Sequence, residues 1–166
     1  LGLSFETIKA RLQDCPTSPM RSERLSVGGI EIINDAYNAN PLSCARALEM
    51  LKAMDVQRRI AVLGDMLELG SYTPAAHKAI GRLAAQFGVE HVLAVGEYAH
   101  NIREGVYESR RNGIDICSNA AEACDYLASF VREGDGVLVK GSRRLGLEQI
   151  ARFLTEKRDV VAPQVT

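Results

Sequence analysis

The stretch Ile60-Ala61-Val62-Leu63 is a short apolar run, followed by a loop and then by an amphipathic segment from Thr73 to about Phe87. A second short apolar run, His91-Val92-Leu93-Ala94-Val95, comes directly after that segment. Such runs predict strands that are buried on both faces, as in a parallel sheet with helices on both sides. The strand–helix–strand order of residues 60–95 therefore predicts an α/β unit.

The same alternation continues towards the C-terminus. The predicted elements there are a helix from about Tyr98 to Arg111, a strand over Ile114–Cys117, a helix from Asn119 to about Val131, a strand over Gly136–Lys140 and a helix from about Leu147 to Arg158. The residues after about 159 include Pro163 and are expected to form a tail.

A different pattern precedes this alternation. Ser4 is placed to cap a helix that runs to about Leu12, with Phe5, Ile8 and Leu12 on one stripe, and Cys15–Ser22 is expected to be a loop. Leu25–Val27 and Ile30–Ile33 flank a Gly28-Gly29 pair, which is typical of a tight hairpin turn. We expect residues 1–166 to form one doubly wound, Rossmann-like α/β domain with a mostly parallel sheet and an antiparallel strand near its start.

The composition is that of an ordinary globular protein. The 166 residues include 20 Lys and Arg against 21 Asp and Glu, and 46% are hydrophobic. A net charge of −1 removes the usual electrostatic reason to expect a nucleic acid or an anionic membrane as partner. No apolar run approaches the roughly 20 residues of a membrane span, and the N-terminus lacks a signal-like pattern. We expect a cytoplasmic protein, and the missing initial Met suggests a piece of a longer chain.

The cysteines lack the spacing of a metal or redox site. No C-x-x-C pair occurs among Cys15, Cys44, Cys117 and Cys124. A domain of this length has its own apolar core and does not need a disulfide framework. We therefore expect reduced thiols that pack as small apolar groups, and no metal site.

Ligands of doubly wound sheets bind outside the carboxyl ends of the strands, so the loops that follow the strands are the candidate site. Asn34–Pro41 concentrates a carboxylate, carboxamides and a phenol directly after the strand that ends at Ile33. Asn40 and Pro41 are placed to cap and begin the next helix. A turn held by Asx hydrogen bonds would explain any single Asn, whereas the run as a whole favours binding.

Two further loops follow predicted strands. Gly64–Gly70 carries Asp65 and Glu68, which either face a cation or an ammonium group or are solvated acids of an ordinary loop. Lys140–Arg144 offers backbone N–H groups, a hydroxyl and three cations that suit a phosphate or a carboxylate, although the start of a helix with exposed basic residues has the same pattern. His77, on the helix that begins near Thr73, is expected to be a structural or rim residue.

Together the three loops resemble the third, C-terminal domain of a Mur ligase. The resemblance rests on Asp35-Ala36-Tyr37-Asn38-Ala39-Asn40-Pro41 with Ser43, on Leu63–Gly70 and on Val139–Arg143, and it covers nearly the whole chain. Pro19–Glu23 is similar to the arginine-bearing segment that precedes the family's aspartate motif. Among family members, the loops look most like those of the one that adds D-alanyl-D-alanine to UDP-N-acetylmuramoyl-tripeptide.

The resemblance implies an amide ligase of peptidoglycan synthesis that has three domains and uses ATP and Mg²⁺. In that family the central domain carries the P-loop and the magnesium ligands. The third domain closes over ATP and delivers the amine that attacks an acyl phosphate. This chain contains neither G-x-x-x-x-G-K-[ST] nor G-x-G-x-x-G, so we expect the domain to be inactive by itself, without a complete catalytic set.

The resemblance also implies roles for individual residues. Asp35 matches the family's aspartate at the ATP ribose, and Arg21 matches an arginine near the nucleotide phosphates. The residues matched to the dipeptide site are Asn38, Ala39 and Asn40 along its wall, Asp65 and Glu68 near the ammonium end, and Gly141 and Ser142 at the carboxylate end.

Two alternatives remain open at this point. A stand-alone nucleotide-sensing or interaction module would keep the same fold, and a sibling ligase with another amino acid as substrate would keep similar loops. A G-K-[ST] loop upstream of this chain would favour a ligase over a stand-alone module.

Overall fold

The computed structural model describes residues 2, 4–13, 19–110 and 112–159, which build a six-stranded sheet with helices on both faces. The strands are β1 (Glu23–Val27), β2 (Ile30–Asp35), β3 (Arg58–Gly64), β4 (His91–Val95), β5 (Ile114–Cys117) and β6 (Asp135–Lys140). Their order in the sheet is β1-β2-β6-β3-β4-β5, with β1 antiparallel to β2 and every other pair parallel. The predicted fold class is confirmed.

The helices cover the sheet unequally. They are α1 (Phe5–Gln13), α2 (Pro41–Lys52), α3 (Thr73–Gln86), α4 (Ala99–Tyr107), α5 (Ala120–Phe130) and α6 (Glu148–Asp159). Residues of α2, α3 and α4 share one apolar cluster, and residues of α5 and α6 share the other. None of these helices is long and apolar enough to cross a membrane.

Side chains alternate between the two clusters along β3, β4 and β6, as the pleat of a strand requires. In β6, Leu138 joins the cluster of α2–α4, whereas Val137 and Val139 join the cluster of α5 and α6. Both faces of the sheet are packed at these strands, which explains why they lack the polar alternation that the edge strand β1 shows.

Several local predictions are confirmed at the level of single residues. Gly28 and Gly29 have φ values of 52° and 74°, the left-handed backbone that the hairpin turn requires. The backbone N–H of Thr7 donates to Ser4 Oγ at 3.2 Å, so Ser4 caps α1. Asn40 caps α2 through its side chain, which accepts from the Ser43 N–H at 2.8 Å, and Pro41 begins that helix.

Other predicted boundaries and contacts differ. β2 continues to Asp35 because Asn34 and Asp35 still pair with Val139 and Lys140 of β6. α4 ends at Tyr107 rather than near Arg111. Phe5 and Ile8 of α1 are 76% and 42% exposed, so their stripe is not buried here. The side chain of Leu12 lies outside the described residues, as do residues 14–18 of the predicted loop and the predicted tail from residue 160 onward.

The prediction that the cysteines are reduced, buried thiols is confirmed for the three that the structure describes. Cys44, Cys117 and Cys124 are free and buried, and Cys15 lies outside the described residues. Burial raises the pKa of the Cys44 and Cys117 thiols to about 11. These thiols are therefore protonated at neutral pH and act as packing groups.

The insertion of β6 between β2 and β3 brings the three loops of the sequence analysis together. Lys140, the last residue of β6, is in register with Asp35 on one side and with Leu63 on the other. The segments that follow β2, β3 and β6 consequently leave the sheet at the same edge. This edge is a topological switch point, where open α/β sheets bind ligands.

Candidate functional site

A buried lysine joins the ends of β2 and β6. The side chain of Lys140 is 2% exposed, and its Nζ lies 2.8 Å from Asp35 Oδ2. Nζ also donates to the carbonyl oxygens of Asp35 and Asn38. Three acceptors use all three N–H groups of the ammonium. Lys140 therefore fixes the Asn34–Pro41 segment, whereas the sequence alone had grouped it with the cations available to an anion.

Asp35 is held at the mouth of a cleft. Its Oδ1 accepts from the Ser22 N–H at 2.9 Å, while its Oδ2 pairs with Lys140. The side chain remains 15% exposed. Since each carboxylate oxygen can accept two hydrogen bonds, Asp35 keeps the capacity to accept from a ligand hydroxyl.

We call this space the Asp35 cleft; its volume is about 470 Å³. One wall carries Arg21, Asp35 and Asn38, and the wall formed by α2 carries the apolar side chains of Leu42 and Met50. The cleft thus brings together the two residues predicted to bind ATP. A polar rim beside an apolar wall is the usual make-up of a small-molecule site.

A second space, the Glu68 cleft, has a volume of about 450 Å³. It is lined by Asn38, Ala39, Asn40, Leu67, Glu68, Leu69, Ser142, Arg143 and Arg144. Five residues predicted to bind the dipeptide, namely Asn38, Ala39, Asn40, Glu68 and Ser142, meet here. Asn38 and Asn40 line both clefts, so the two spaces are neighbours.

Glu68 has a backbone conformation that is uncommon for its residue type. Its φ is 64°, in the left-handed region, and its side chain is exposed at the Glu68 cleft. A non-glycine residue in this region costs about 1–2 kcal/mol, and such residues concentrate at functional sites. Glu68 provides the negative charge of this cleft, and Arg143 and Arg144 provide its positive charge.

Asp65 and Gly141 do not line either cleft. The Asp65 carboxylate is 4% exposed and accepts from the backbone N–H groups of Glu97 at 3.0 Å and Tyr98 at 2.9 Å. Gly141 approaches Gly64 so closely that a Cβ on it would lie 3.2 Å from the Gly64 Cα. The contacts shown for both residues are with other parts of the protein, and the ligand contacts predicted for them stay predictions.

Ser142 uses its backbone N–H within the protein. That N–H donates to the Asp65 carbonyl oxygen at 3.0 Å, and Ser142 Oγ accepts from the Leu67 N–H at 3.3 Å. The hydroxyl hydrogen is the donor that Ser142 retains for a ligand. The predicted binding of a carboxylate by the Ser142 N–H would require this contact to open.

His77 braces the loop between β3 and α3. It is fully buried, its Nε2 accepts from the Met66 N–H at 2.8 Å, and its Nδ1 donates to the Thr73 carbonyl oxygen at 2.7 Å. Both contacts require the neutral ring with hydrogen on Nδ1, and burial lowers the pKa of His77. These contacts agree with the structural role predicted for it.

Sequence reasoning missed part of the site. Leu42, 69% exposed, and Met50 form the apolar wall of the Asp35 cleft. Leu42 stands off the stripe of Cys44, Leu48 and Leu51 that α2 buries, and that offset was a detectable signal. The ring of Tyr37 was noted only within its motif, yet the Arg21 guanidinium lies over it, with Cζ 4.0 Å from the ring centroid.

Comparisons with known proteins show which family the chain resembles over most of its length. The family model described as "Mur ligase, glutamate ligase domain" matches residues 20–143. The chain is 32% identical over 160 residues to the UDP-N-acetylmuramoyl-tripeptide–D-alanyl-D-alanine ligase of Bacillus subtilis, covering 93% of this chain and 35% of that protein. It thus spans about a third of the length of the curated relatives it matches.

Solved structures show the same correspondence. A crystal structure of MurF from Acinetobacter baumannii superposes with a TM-score of 0.82 at 28% identity, covering 93% of this chain and 34% of that one. MurF ligase from Thermotoga maritima, in complex with ADP, superposes with a TM-score of 0.75 at 25% identity, covering 89% of this chain and 33% of that one.

Proposed function

We propose, since this chain belongs to the Mur ligase family through its glutamate ligase domain, that the whole protein adds D-alanyl-D-alanine to UDP-N-acetylmuramoyl-tripeptide with the use of ATP. The observation that carries the proposal is the pair of clefts that share Asn38 and Asn40. The Asp35 cleft offers a carboxylate and a guanidinium, which suit a nucleotide. The Glu68 cleft offers separate negative and positive groups, which suit a zwitterion. The names of the curated relatives support the choice of substrates.

The Asp35 cleft is suited to ATP. The Asp35 carboxylate can accept from the ribose hydroxyls, and the exposed Arg21 guanidinium can donate to phosphate oxygens. Leu42 and Met50 offer an apolar surface to the base. Among the described residues, no group of three or more His, Cys, Asp or Glu is placed to hold a metal ion. The family resemblance, in which the central domain carries the magnesium ligands, is the ground on which we assign the Mg²⁺ that accompanies ATP to the rest of the whole protein.

The Glu68 cleft is suited to the incoming dipeptide. The Glu68 carboxylate can pair with the α-ammonium group, and Arg144 and the Ser142 hydroxyl can hold the carboxylate. Asn38 and Asn40 stand between the two clefts, where carboxamides can hydrogen-bond the peptide group of the dipeptide. The arrangement holds the amine beside the nucleotide, which supplies the effective concentration that amide formation needs. We place this reaction in the cytoplasm, where ATP is available.

The test is phosphate release by the full-length protein with ATP, Mg²⁺, UDP-N-acetylmuramoyl-tripeptide and D-alanyl-D-alanine. We expect release only when all are present, and none from the 166-residue chain alone. Release with a single amino acid in place of the dipeptide would indicate a sibling ligase. ATP binding without release under any condition would indicate a nucleotide-sensing module. Either result would overturn the proposal.

A further inference from the structure

Two guanidinium groups lie over the ring of Tyr37, and each belongs to a residue that lines a different cleft. The Arg21 Cζ lies 4.0 Å from the ring centroid, and the Arg143 Cζ lies 5.2 Å from it. Both distances are within the range of cation–π attraction. Arg21 lines the Asp35 cleft and Arg143 lines the Glu68 cleft, so the ring stands where the two spaces meet.

These two guanidinium groups lack acidic partners in the part of the chain that the structure describes. Arg46 and Arg58, in contrast, pair with Glu49 and Asp135 at 2.7 Å. The two guanidinium groups over one ring repel each other. A multivalent anion between them would attract both and offset that repulsion. A tetrahedral oxyanion matches the donor fork of each guanidinium.

The backbone around Arg21 is built to hold this arrangement. Met20 and Ser22, which flank Arg21, have φ values of 59° and 51°. The Met20 carbonyl oxygen accepts from the Tyr37 N–H at 3.1 Å, and the Ser22 N–H donates to the Asp35 carboxylate. A left-handed backbone at two non-glycine residues, one on each side of Arg21, raises the free energy of the folded chain. The contacts to Asp35 and Tyr37 hold them there and fix the base of the Arg21 side chain.

Arg143 is fixed by a separate set of contacts. It begins the short 3₁₀ turn Arg143–Leu145, directly after Ser142, whose N–H is bound to the Asp65 carbonyl oxygen. Arg21 and Arg143 therefore reach Tyr37 from different segments of the chain. Their meeting on one ring is a tertiary feature rather than a consequence of sequence proximity.

We propose that Tyr37 is a positioning residue that holds Arg21 and Arg143 at the junction of the two clefts, where both bind the transferred phosphoryl group. This inference rests on the proposed function. In the first step the substrate carboxylate forms a bond to the γ-phosphorus of ATP, and the bond from that phosphorus to ADP breaks. In the second step the amine forms the C–N bond and loses a proton, and phosphate leaves with the C–O electron pair.

The phosphoryl group takes part in both steps, together with the substrate's acyl group. It departs from the nucleotide in one cleft and is displaced by the amine from the other. Guanidinium groups fixed between the clefts can stabilise its negative charge in both transition states. An aromatic ring suits this task because it orients two cations and leaves their charge available to the phosphoryl group. A carboxylate in the same place would neutralise one of them.

The test uses the full-length protein with the variants Tyr37→Leu and Tyr37→Phe, and with Tyr107→Leu as a matched control on the exposed end of α4. We expect Tyr37→Leu to lower kcat about tenfold while the KM for the dipeptide stays within about twofold. The KM for ATP, whose phosphates Arg21 also contacts, should rise by a smaller factor than kcat falls. Tyr37→Phe keeps the ring and should retain at least half of the kcat. Tyr37→Leu should add little to the loss caused by Arg21→Ala together with Arg143→Ala, because those two changes already remove both guanidinium groups that the ring positions.

A second measurement keeps the inference separate from the proposed function. Inorganic phosphate should bind the full-length wild-type protein, as measured by calorimetry, and should bind Tyr37→Leu at least fivefold more weakly. If the wild-type protein has no ligase activity, the proposed function fails, while this binding difference still tests the site. An unchanged kcat and phosphate affinity in Tyr37→Leu, or an equal loss of kcat in Tyr37→Phe, would overturn the inference.

Discussion

Asp35 and Asp65 are both aspartates at the carboxyl ends of parallel strands, yet the fold uses them differently. Asp35 ends β2, pairs with Lys140 and stays partly exposed in a cleft. Asp65 follows β3, is 4% exposed and accepts from two backbone N–H groups at the start of α4. A position after a parallel strand therefore predicts closeness to the site, but not contact with a ligand. The partners of each carboxylate decide which of the two roles it has.

The largest expected effect is on stability, in Asp65→Ala of the 166-residue chain. This change removes the acceptor of the Glu97 and Tyr98 N–H groups. Hydrogen bonds to a charged group contribute about 1.5–3 kcal/mol, so we expect the free energy of unfolding to fall by about 3 kcal/mol in urea denaturation. Asp125→Ala, on an exposed position of α5, should change it by less than about 0.5 kcal/mol. A loss below about 1 kcal/mol for Asp65→Ala would make Asp65 a candidate ligand again.

Asp35→Asn in the full-length protein should act on nucleotide use instead. Losing a charge-assisted hydrogen bond to the ribose, worth about 1.5–3 kcal/mol, should raise the KM for ATP about tenfold or more. The KM for D-alanyl-D-alanine should stay within about twofold. Asp35→Ala is the less informative change, because it removes the acceptor oxygens of both the Lys140 ammonium and the Ser22 N–H, whereas Asp35→Asn keeps one of the two. Equal changes of both KM values in Asp35→Asn, against an unchanged Asp125→Asn control, would contradict the assignment.

Glu68 sharpens the comparison because its backbone strain and its charge can be separated. Glycine adopts a φ of 64° without strain, so Glu68→Gly should be as stable as the wild-type protein or more stable by about 1 kcal/mol. The same change should lower kcat/KM for the dipeptide by up to about tenfold, since Glu68 is exposed and its charge is screened. Glu68→Gln should show the same loss without the gain in stability. Losses below about threefold in both variants would leave Glu68 as a loop residue.

The smallest expected effect is a pH dependence of stability caused by His77, which braces the loop between β3 and α3. Burial lowers the pKa of His77 in the folded protein below its ordinary value. At mildly acidic pH the unfolded chain therefore binds a proton that the folded protein does not bind. The contribution of His77 is therefore complete above about pH 6.5 and is lost as the pH falls below it. It amounts to at most about 0.8 kcal/mol at pH 6.

Urea denaturation at pH 7.5 and pH 6 measures this effect. Burial also lowers the pKa of His91, which adds a contribution of the same sign. His77→Gln should therefore reduce the difference between the two pH values without abolishing it. An unchanged difference in His77→Gln would show that protonation of His77 is not what destabilises the protein.

Much of the fold follows from patterns in neighbouring residues. The Gly28-Gly29 turn, the Asn40 cap and the buried strands each depend on conformational preferences and periodicities within a few positions. The loops that form the site were also predictable, because the carboxyl ends of parallel strands share one edge. The offset of Leu42 from the buried stripe of α2 could have marked it as an exposed apolar residue, but only the tertiary structure shows that Leu42 and Met50 face the Asp35 cleft.

By itself, the sequence determined which segments form strands and helices and which loops carry the polar groups, since these depend on local preferences and apolar spacing. Only the tertiary structure placed β6 between β2 and β3, because that choice depends on strand pairing over about a hundred residues of chain. The same packing bound the Asp65 carboxylate to the start of α4 and left the Asp35 carboxylate partly exposed in a cleft. Residues alike in type and position received different roles because burial and hydrogen-bond partners come from distant parts of the chain.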